Sequence, residues 1–135
     1  MESSLNLAEA GFKVYLADRK PNIGGNMAQL DKIFPTNDCS MCIISPKLVE
    51  CASHPNIELL TLSELQALDG EVGRFKATVL QHPRFIDREK CTGCGECATV
   101  CPIQLKNEFD EGLSSRKAAY KRYPLIPLAE RVQLF

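Results

Sequence analysis

Residues 91–102 read CTGCGECATVCP, four cysteines at C-x2-C-x2-C-x3-C spacing closed by a proline. No other stretch of the chain restricts its chemistry as tightly. Two-residue gaps let a backbone curl round one face of a cubane, so that each thiolate reaches a different iron. This is the bacterial ferredoxin run for a 4Fe–4S cluster. Gly93 and Gly95 permit the partly left-handed backbone of such a curl, which turns amide groups toward the cluster sulfurs. On this reading Cys101 opens a short helix and Pro102 redirects the chain. The competing reading is a zinc ribbon, which needs only four ligands, usually in two separated C-x2-C pairs. In two-cluster ferredoxins the fourth cysteine ligates the other cluster, yet residues 102–135 contain no cysteine. Cys101 then either closes a single site with Cys91, Cys94 and Cys97, the reading preferred for this chain, or has its partner motif outside it.

Three further cysteines, Cys39, Cys42 and Cys51, bring the total to seven. An odd count, with an N-terminus (MESSLNLAEAGFK) lacking the layout of a secretory signal, argues against a disulfide framework. Cys39-Ser40-Met41-Cys42 is a C-x2-C pair, and Cys51 follows nine residues after Cys42. A second cluster here is one thiolate short, so Asp38, His54, Cys101 or an outside residue has to complete it. Two other readings stay open: buried free cysteines packing as small hydrophobes, and a redox-active C-x2-C disulfide. His54 and His82 each precede a proline and read as surface loop residues.

The rest of the composition narrows the class. The chain has 135 residues, 44% hydrophobic and 24% charged, enough to bury a core. A formal net charge of −1 removes the electrostatic case for nucleic acid or an anionic membrane surface. No apolar run reaches the roughly 18 residues of a membrane helix. The expectation is a cytoplasmic protein with no membrane span.

Toward the N-terminus, residues 5–11 read as the end of an amphipathic helix with Gly11 as its cap. Val14 to Ala17 then form a short strand ending at Asp18. Helix, strand and terminal acid make the second half of a βαβ dinucleotide unit, the acid accepting ribose hydroxyls. Gly24-Gly25 allows close backbone approach to a pyrophosphate or flavin. The G-x-G-x-x-G loop that belongs about 20 residues before such an acid would precede Met1. The blander reading is that Asp18 caps a strand and the glycines make an ordinary turn. Further on, Ser45 and Pro46 read as the N-cap and first residue of a helix. Residues 56–62 read as a strand. Residues 64–69 and 74–81 read as a hairpin with alternating apolar Phe75, Ala77 and Val79. Residues 84–90 read as a charged linker, and the chain after Ile103, including Pro124 to Pro127, as connecting structure.

Taken together the chain resembles the A subunit of heterodisulfide reductase, the flavin and iron–sulfur component. The resemblance runs through LNLAEAGFKVYLADRKPNIGGNMAQLDKIFPTNDCSMCIISPKLVECASHPNIELLT, then CTGCGECATVCP, then NEFDEGLSSRKAAY. It implies a mixed α/β (α+β) fold: a partial FAD-binding, Rossmann-like (thioredoxin-reductase-like) unit without its first strand, plus a ferredoxin-like iron–sulfur segment. The implied division is 1–86 for the first unit with its inserted cysteine pair, 87–104 for the 4Fe–4S segment and 105–135 for a connecting segment. Asp18 matches the ribose-binding acid, with Arg19 beside it, and Gly24, Gly25 and Asn26 match the turn against the flavin. Cys91, Cys94, Cys97 and Cys101 match the ferredoxin site, Cys39 and Cys42 the inserted pair, and Cys51 remains a further metal-ligand candidate. The implied chemistry is electron transfer within an oxidoreductase that works on sulfur groups. Partner subunits reduce the CoM-S-S-CoB disulfide, and a hydrogenase, formate dehydrogenase or ferredoxin supplies electrons. One 4Fe–4S cluster is expected and a second is possible. FAD is expected in the full-length context but not bound stably by this chain, which would then be a fragment without complete catalysis. The alternatives are a stand-alone single-cluster electron carrier without flavin and a non-redox zinc-binding module.

Overall fold

The computed structural model describes residues 1–87 and 90–121, and these described residues form a mixed α/β fold with four small two-stranded sheets. The described residues divide into two compact units, Met1–Pro83 and the residues from Arg84 onward. Pro124 to Pro127 lie outside the described residues.

In the first unit, α1 (Glu2–Glu9) carries Glu2 in its first turn, where a carboxylate favours the helix dipole. Ala10 is its C-cap, one residue before the cap expected from sequence. Gly11 follows at φ +91°, the left-handed step by which helices commonly end. The chain then enters β1 (Val14–Asp18), as expected. After a single 3-10 turn (Met27–Gln29), short antiparallel strands β2 (Lys32–Ile33) and β3 (Asp38–Cys39) lead into α2 (Ser40–Ser53). That helix delivers the chain to β4 (Ile57–Thr61), parallel to β1 in the register Val14↔Ile57 to Asp18↔Thr61. Parallel neighbours require a crossover of this kind, because no tight turn can join them.

The helix expected to start at Pro46, with Ser45 as its N-cap, starts six residues earlier at Ser40. The Cys39 sulfur caps it by accepting the Cys42 amide at 3.2 Å, and Pro46 lies inside it. The proline lacks an N–H, so it leaves one bond of the ladder unmade without ending the helix. Burial of Ser40, Ile44, Leu48 and Cys51 at intervals of three or four residues holds the helix on the core. Leu5 and Ala8 of α1, Ile23, Ala28 and Ile57 complete that core.

Strands β5 (Ser63–Glu71) and β6 (Arg74–Gln81) form the expected hairpin around Val72-Gly73. Its root is fixed by Leu62, whose amide donates to the Lys20 carbonyl at 3.1 Å and whose carbonyl accepts the His82 amide at 2.7 Å. The apolar positions of β6 alternate along the strand, and β6 is exposed on both faces. A register shift between Leu65 and Ala67 puts Leu65, Leu68, Phe75, Ala77 and Val79 on one side. Asp69↔Lys76 and Glu71↔Arg74 pair on the other. The hairpin is thus amphipathic, and Phe75 is 59% exposed.

In the second unit α3 (Glu96–Val100) is followed by antiparallel β7 (Gln104–Lys106) and β8 (Ser115–Lys117). The stretch after Ile103 is therefore more than a connection. Asn107 organises the loop between these strands: its Oδ1 accepts the Phe109 amide at 3.2 Å, and its carbonyl accepts the Gly112 amide at 2.8 Å. Arg116 pairs with Glu108 at 3.2 Å and lies 4.1 Å over the Tyr120 ring, while Ala118 and Ala119 are buried.

Candidate metal centre

Cys91, Cys94, Cys97 and Cys101 are all free thiols, three half-buried and Cys94 exposed. Gly93 (φ +72°) and Gly95 (φ +90°) adopt the left-handed backbone expected between the ligands. Gly95 is the N-cap of α3, which carries Cys97. Cys101 does not open a helix, contrary to the sequence expectation. It closes α3 as an extended C-cap at φ −67°, ψ 120°. The residue before a proline is pushed out of the helical region by the ring of Pro102.

Backbone hydrogen bonding acts on the sulfurs of Cys94 and Cys101. The Cys94 thiol is lowered below its ordinary pKa, chiefly by a backbone hydrogen bond from Glu96 and then by the Thr92 side chain. The Cys101 thiol is lowered chiefly by backbone hydrogen bonds from Ala119 and Ile103. Each such bond favours the thiolate, the form that ligates iron. Ile103 and Ala118, joined at 3.0 Å, tie the end of β8 to the ligand run. Sequence reasoning missed this return of β8 to Cys101, although the turn-forming NEFDEG stretch could have announced it.

Among the described residues no three His, Cys, Asp or Glu side chains are grouped as ligands of one metal ion. A cubane asks for a different arrangement, since each thiolate binds its own iron and the sulfurs ring the cluster. By donor type, by the left-handed glycines and by hydrogen bonds at the Cys94 and Cys101 sulfurs, the four residues fit a 4Fe–4S cluster.

The remaining cysteines are placed differently. Cys39 and Cys42 are exposed and joined as a disulfide at the start of α2. Cys51 is fully buried near the other end of the helix, its Sγ 4.0 Å from the Met1 carbonyl. Nine residues of helix set it about 13 Å along the axis from Cys42, so the structure does not bring the three together. Burial raises the Cys51 thiol above its ordinary pKa. His54 caps the end of α2 and its Nδ1 accepts the Asn56 amide at 3.1 Å. His82 lies 3.5 Å from Glu64.

The five residues matched to a nucleotide lie on one segment leaving the C-terminal end of β1. Asp18 Oδ1 accepts the Lys20 amide at 2.9 Å, and Lys20 Nζ reaches Asn26 Oδ1 at 3.4 Å, closing residues 18–26 into a loop. Gly24 (φ +105°) and Gly25 (φ +60°) form its far side. Arg19 points to Glu64 at 3.7 Å. Lys20 was not singled out from sequence, and a lone lysine in a charged run carries no signal that could have done so.

The 4Fe–4S binding domain family matches residues 84–104. The chain is 54% identical over 124 residues to the second of the CoB–CoM heterodisulfide reductase iron-sulfur A subunits of Methanopyrus kandleri, covering 92% of this chain and 19% of the relative. It is 53% identical over 129 residues to the A subunit of the H2/formate:CoB-CoM heterodisulfide,ferredoxin reductase of Methanococcus maripaludis, covering 95% of this chain and 20% of the relative. It is 56% identical over 124 residues to a protein of Archaeoglobus profundus named as like the heterodisulfide reductase A subunit, covering 90% of this chain and 18% of the relative. The chain thus spans about a fifth of the length of the curated relatives it matches. Among the described residues no helix is long and apolar enough to cross a membrane.

Proposed function

We propose that this chain, homologous over nearly its whole length to a segment of the heterodisulfide reductase A subunit, carries electrons through a 4Fe–4S cluster held by Cys91, Cys94, Cys97 and Cys101. The observation that carries the proposal is the ligand run itself: four free thiols separated by left-handed Gly93 and Gly95, inside the stretch matched by the 4Fe–4S family. When bound, such a cluster supplies one-electron transfer at a potential set by hydrogen bonds to its sulfurs and by solvent exposure. The chain's own contribution is to hold thiolates in place: Glu96 and Thr92 at Cys94, and Ala119 and Ile103 at Cys101.

Residues 18–26 are assigned to the adenosine and flavin side of an FAD site. The support is positional. In open α/β sheets ligands bind beyond the carboxyl ends of parallel strands, and Asp18 ends β1 beside Thr61, the end of parallel β4. In this reading Asp18 and Arg19 face the ribose, while Gly24 and Gly25, followed by Asn26, form the backbone turn against the flavin. The partial Rossmann-like unit is part of the same proposal. So is the wider activity, reduction of a heterodisulfide such as CoM-S-S-CoB by partner subunits, with electrons from hydrogen, formate or ferredoxin chemistry. Cys39 and Cys42 become available as ligands only as free thiols, and Cys51 is assigned to packing.

The test is iron and acid-labile sulfide per chain after strictly anaerobic reconstitution. About four of each, abolished by Cys94→Ser with Cys97→Ser, is the expected result. Zinc bound without sulfide would overturn the proposal.

A further inference from the structure

We propose that Cys39 and Cys42 form a reversible dithiol–disulfide couple, a two-electron site carried by cysteines other than those of the ferredoxin-type run. The two are the disulfide-bonded cysteines among the described residues, while the four thiols at Cys91 to Cys101 and buried Cys51 are free. Both members are exposed to solvent, so a reductant can reach the bond, and access is a first requirement of thiol–disulfide exchange.

The bond has little structural work to do. Its partners are three residues apart, and a loop that short removes the least entropy from the unfolded chain. The helix it precedes is held on the core by Ser40, Ile44, Leu48 and Cys51. Ser40, between the two cysteines, is fully buried and donates its hydroxyl to the Met27 carbonyl at 2.5 Å. The backbone between the two sulfurs is therefore anchored from below whether the bond is open or closed. Opening it requires no unfolding of α2.

The local geometry also favours a particular order of events. The Cys42 amide donates to the Cys39 sulfur at 3.2 Å, so Cys39 is the sulfur prepared to carry negative charge. A thiolate of an external dithiol attacks Cys42 Sγ, forming a mixed disulfide as the Cys39–Cys42 bond breaks. Cys39 leaves as a thiolate and takes up a proton. The second thiol of the reagent, after losing its proton, attacks its own sulfur in the mixed disulfide and releases Cys42, which is protonated in turn. The reagent ends as a cyclic disulfide, and two electrons and two protons have passed to the protein. Closed, the pair has no thiolate to give a metal; open, it has two. The couple therefore governs whether these residues can act as ligands at all.

Peptide-resolved alkylation of the full chain tests this. The protein is equilibrated in buffers of defined reduced-to-oxidised dithiothreitol ratio, quenched with acid, alkylated with N-ethylmaleimide and digested. The peptide containing residues 39–42 is expected to carry no alkyl group at the oxidising end and two at the reducing end. The change should follow a single two-electron transition that reverses on re-oxidation. Cys39→Ser should leave Cys42 alkylated at every ratio while circular dichroism keeps the helical signal of α2. Two alkyl groups on that peptide at the oxidising end would overturn the proposal, as would a bond to any other cysteine or a bond that 50-fold excess dithiothreitol leaves closed. Iron and sulfide at Cys91 to Cys101 are measured separately, so failure of the couple and failure of the cluster assignment are distinguishable.

Discussion

Gly24 lies against Leu48 so closely that a Cβ added to the glycine would stand 3.1 Å from the leucine Cδ2 and 3.1 Å from the Cβ of Ala28. Leu48 is fully buried and has nowhere to retreat. The segment after β1 is thus pressed onto α2 at Gly24, where even a methyl group would be crowded. Gly24→Ala is expected to destabilise the chain by about 2–4 kcal/mol, from backbone strain at φ +105° plus overpacking. Gly25→Ala meets nothing within 4 Å and should cost only about 1 kcal/mol for the left-handed backbone. Urea unfolding followed by circular dichroism separates the two, and equal costs would refute the packing argument.

Leu48 itself, with Ile44 and Cys51, forms the face by which α2 meets the core. Leu48→Ala should cost about 2–5 kcal/mol, against less than about 0.5 kcal/mol for exposed Val49→Ala. The same denaturation series measures both.

Cys51 should behave as an interior residue. Burial raises its pKa, which lowers its thiolate fraction at any pH below that value and slows alkylation beyond what lost access alone would do. N-ethylmaleimide at neutral pH is expected to label Cys94 promptly in the metal-free chain and Cys51 only on adding denaturant. Prompt labelling of Cys51 in the folded chain would contradict its place under α1.

The Asp110 carboxyl is held below its ordinary pKa of 3.8, first by the Ser114 side chain and then by nearby backbone amides. A carboxyl lowered on folding stabilises the fold above its unfolded value, and that contribution is lost as pH falls through the lowered value. Ser114→Ala should therefore move the Asp110 titration upward in a carboxyl-resolved NMR experiment. The β7–β8 loop should then loosen at a higher pH than in the parent chain.

The amphipathic hairpin exposes Leu65, Leu68, Phe75 and Val79 on one face, a surface prone to association. Replacing Leu68 and Phe75 together by lysine is expected to reduce binding of a hydrophobic dye several-fold while leaving the helical signal intact. Unchanged dye binding would place the exposed apolar surface elsewhere.

Several features were legible without a structure because they depend on local chemistry. The spacing of Cys91, Cys94, Cys97 and Cys101 is a ligand pattern in one dimension, and Gly93 and Gly95 permit the left-handed backbone they adopt. Strands β1 and β4 and the hairpin of residues 64–69 and 74–81 were readable because apolar runs bounded by breakers specify themselves, although β5 continues to Glu71 and shortens the turn to Val72-Gly73. What lay beyond the sequence was set by contacts distant along the chain. Pro46 looked like a helix start because proline suits a first turn, yet burial of Ser40 and Ile44 carries α2 six residues further back. Cys101 looked like the start of a helix, and the pull of Pro102 on its backbone made it the end of one. Cys39, Cys42 and Cys51 form one group in sequence, but the helix between them sends one sulfur into the core and leaves two at the surface. Spacing determines which thiols can share a metal cluster, whereas packing determines which of them face it.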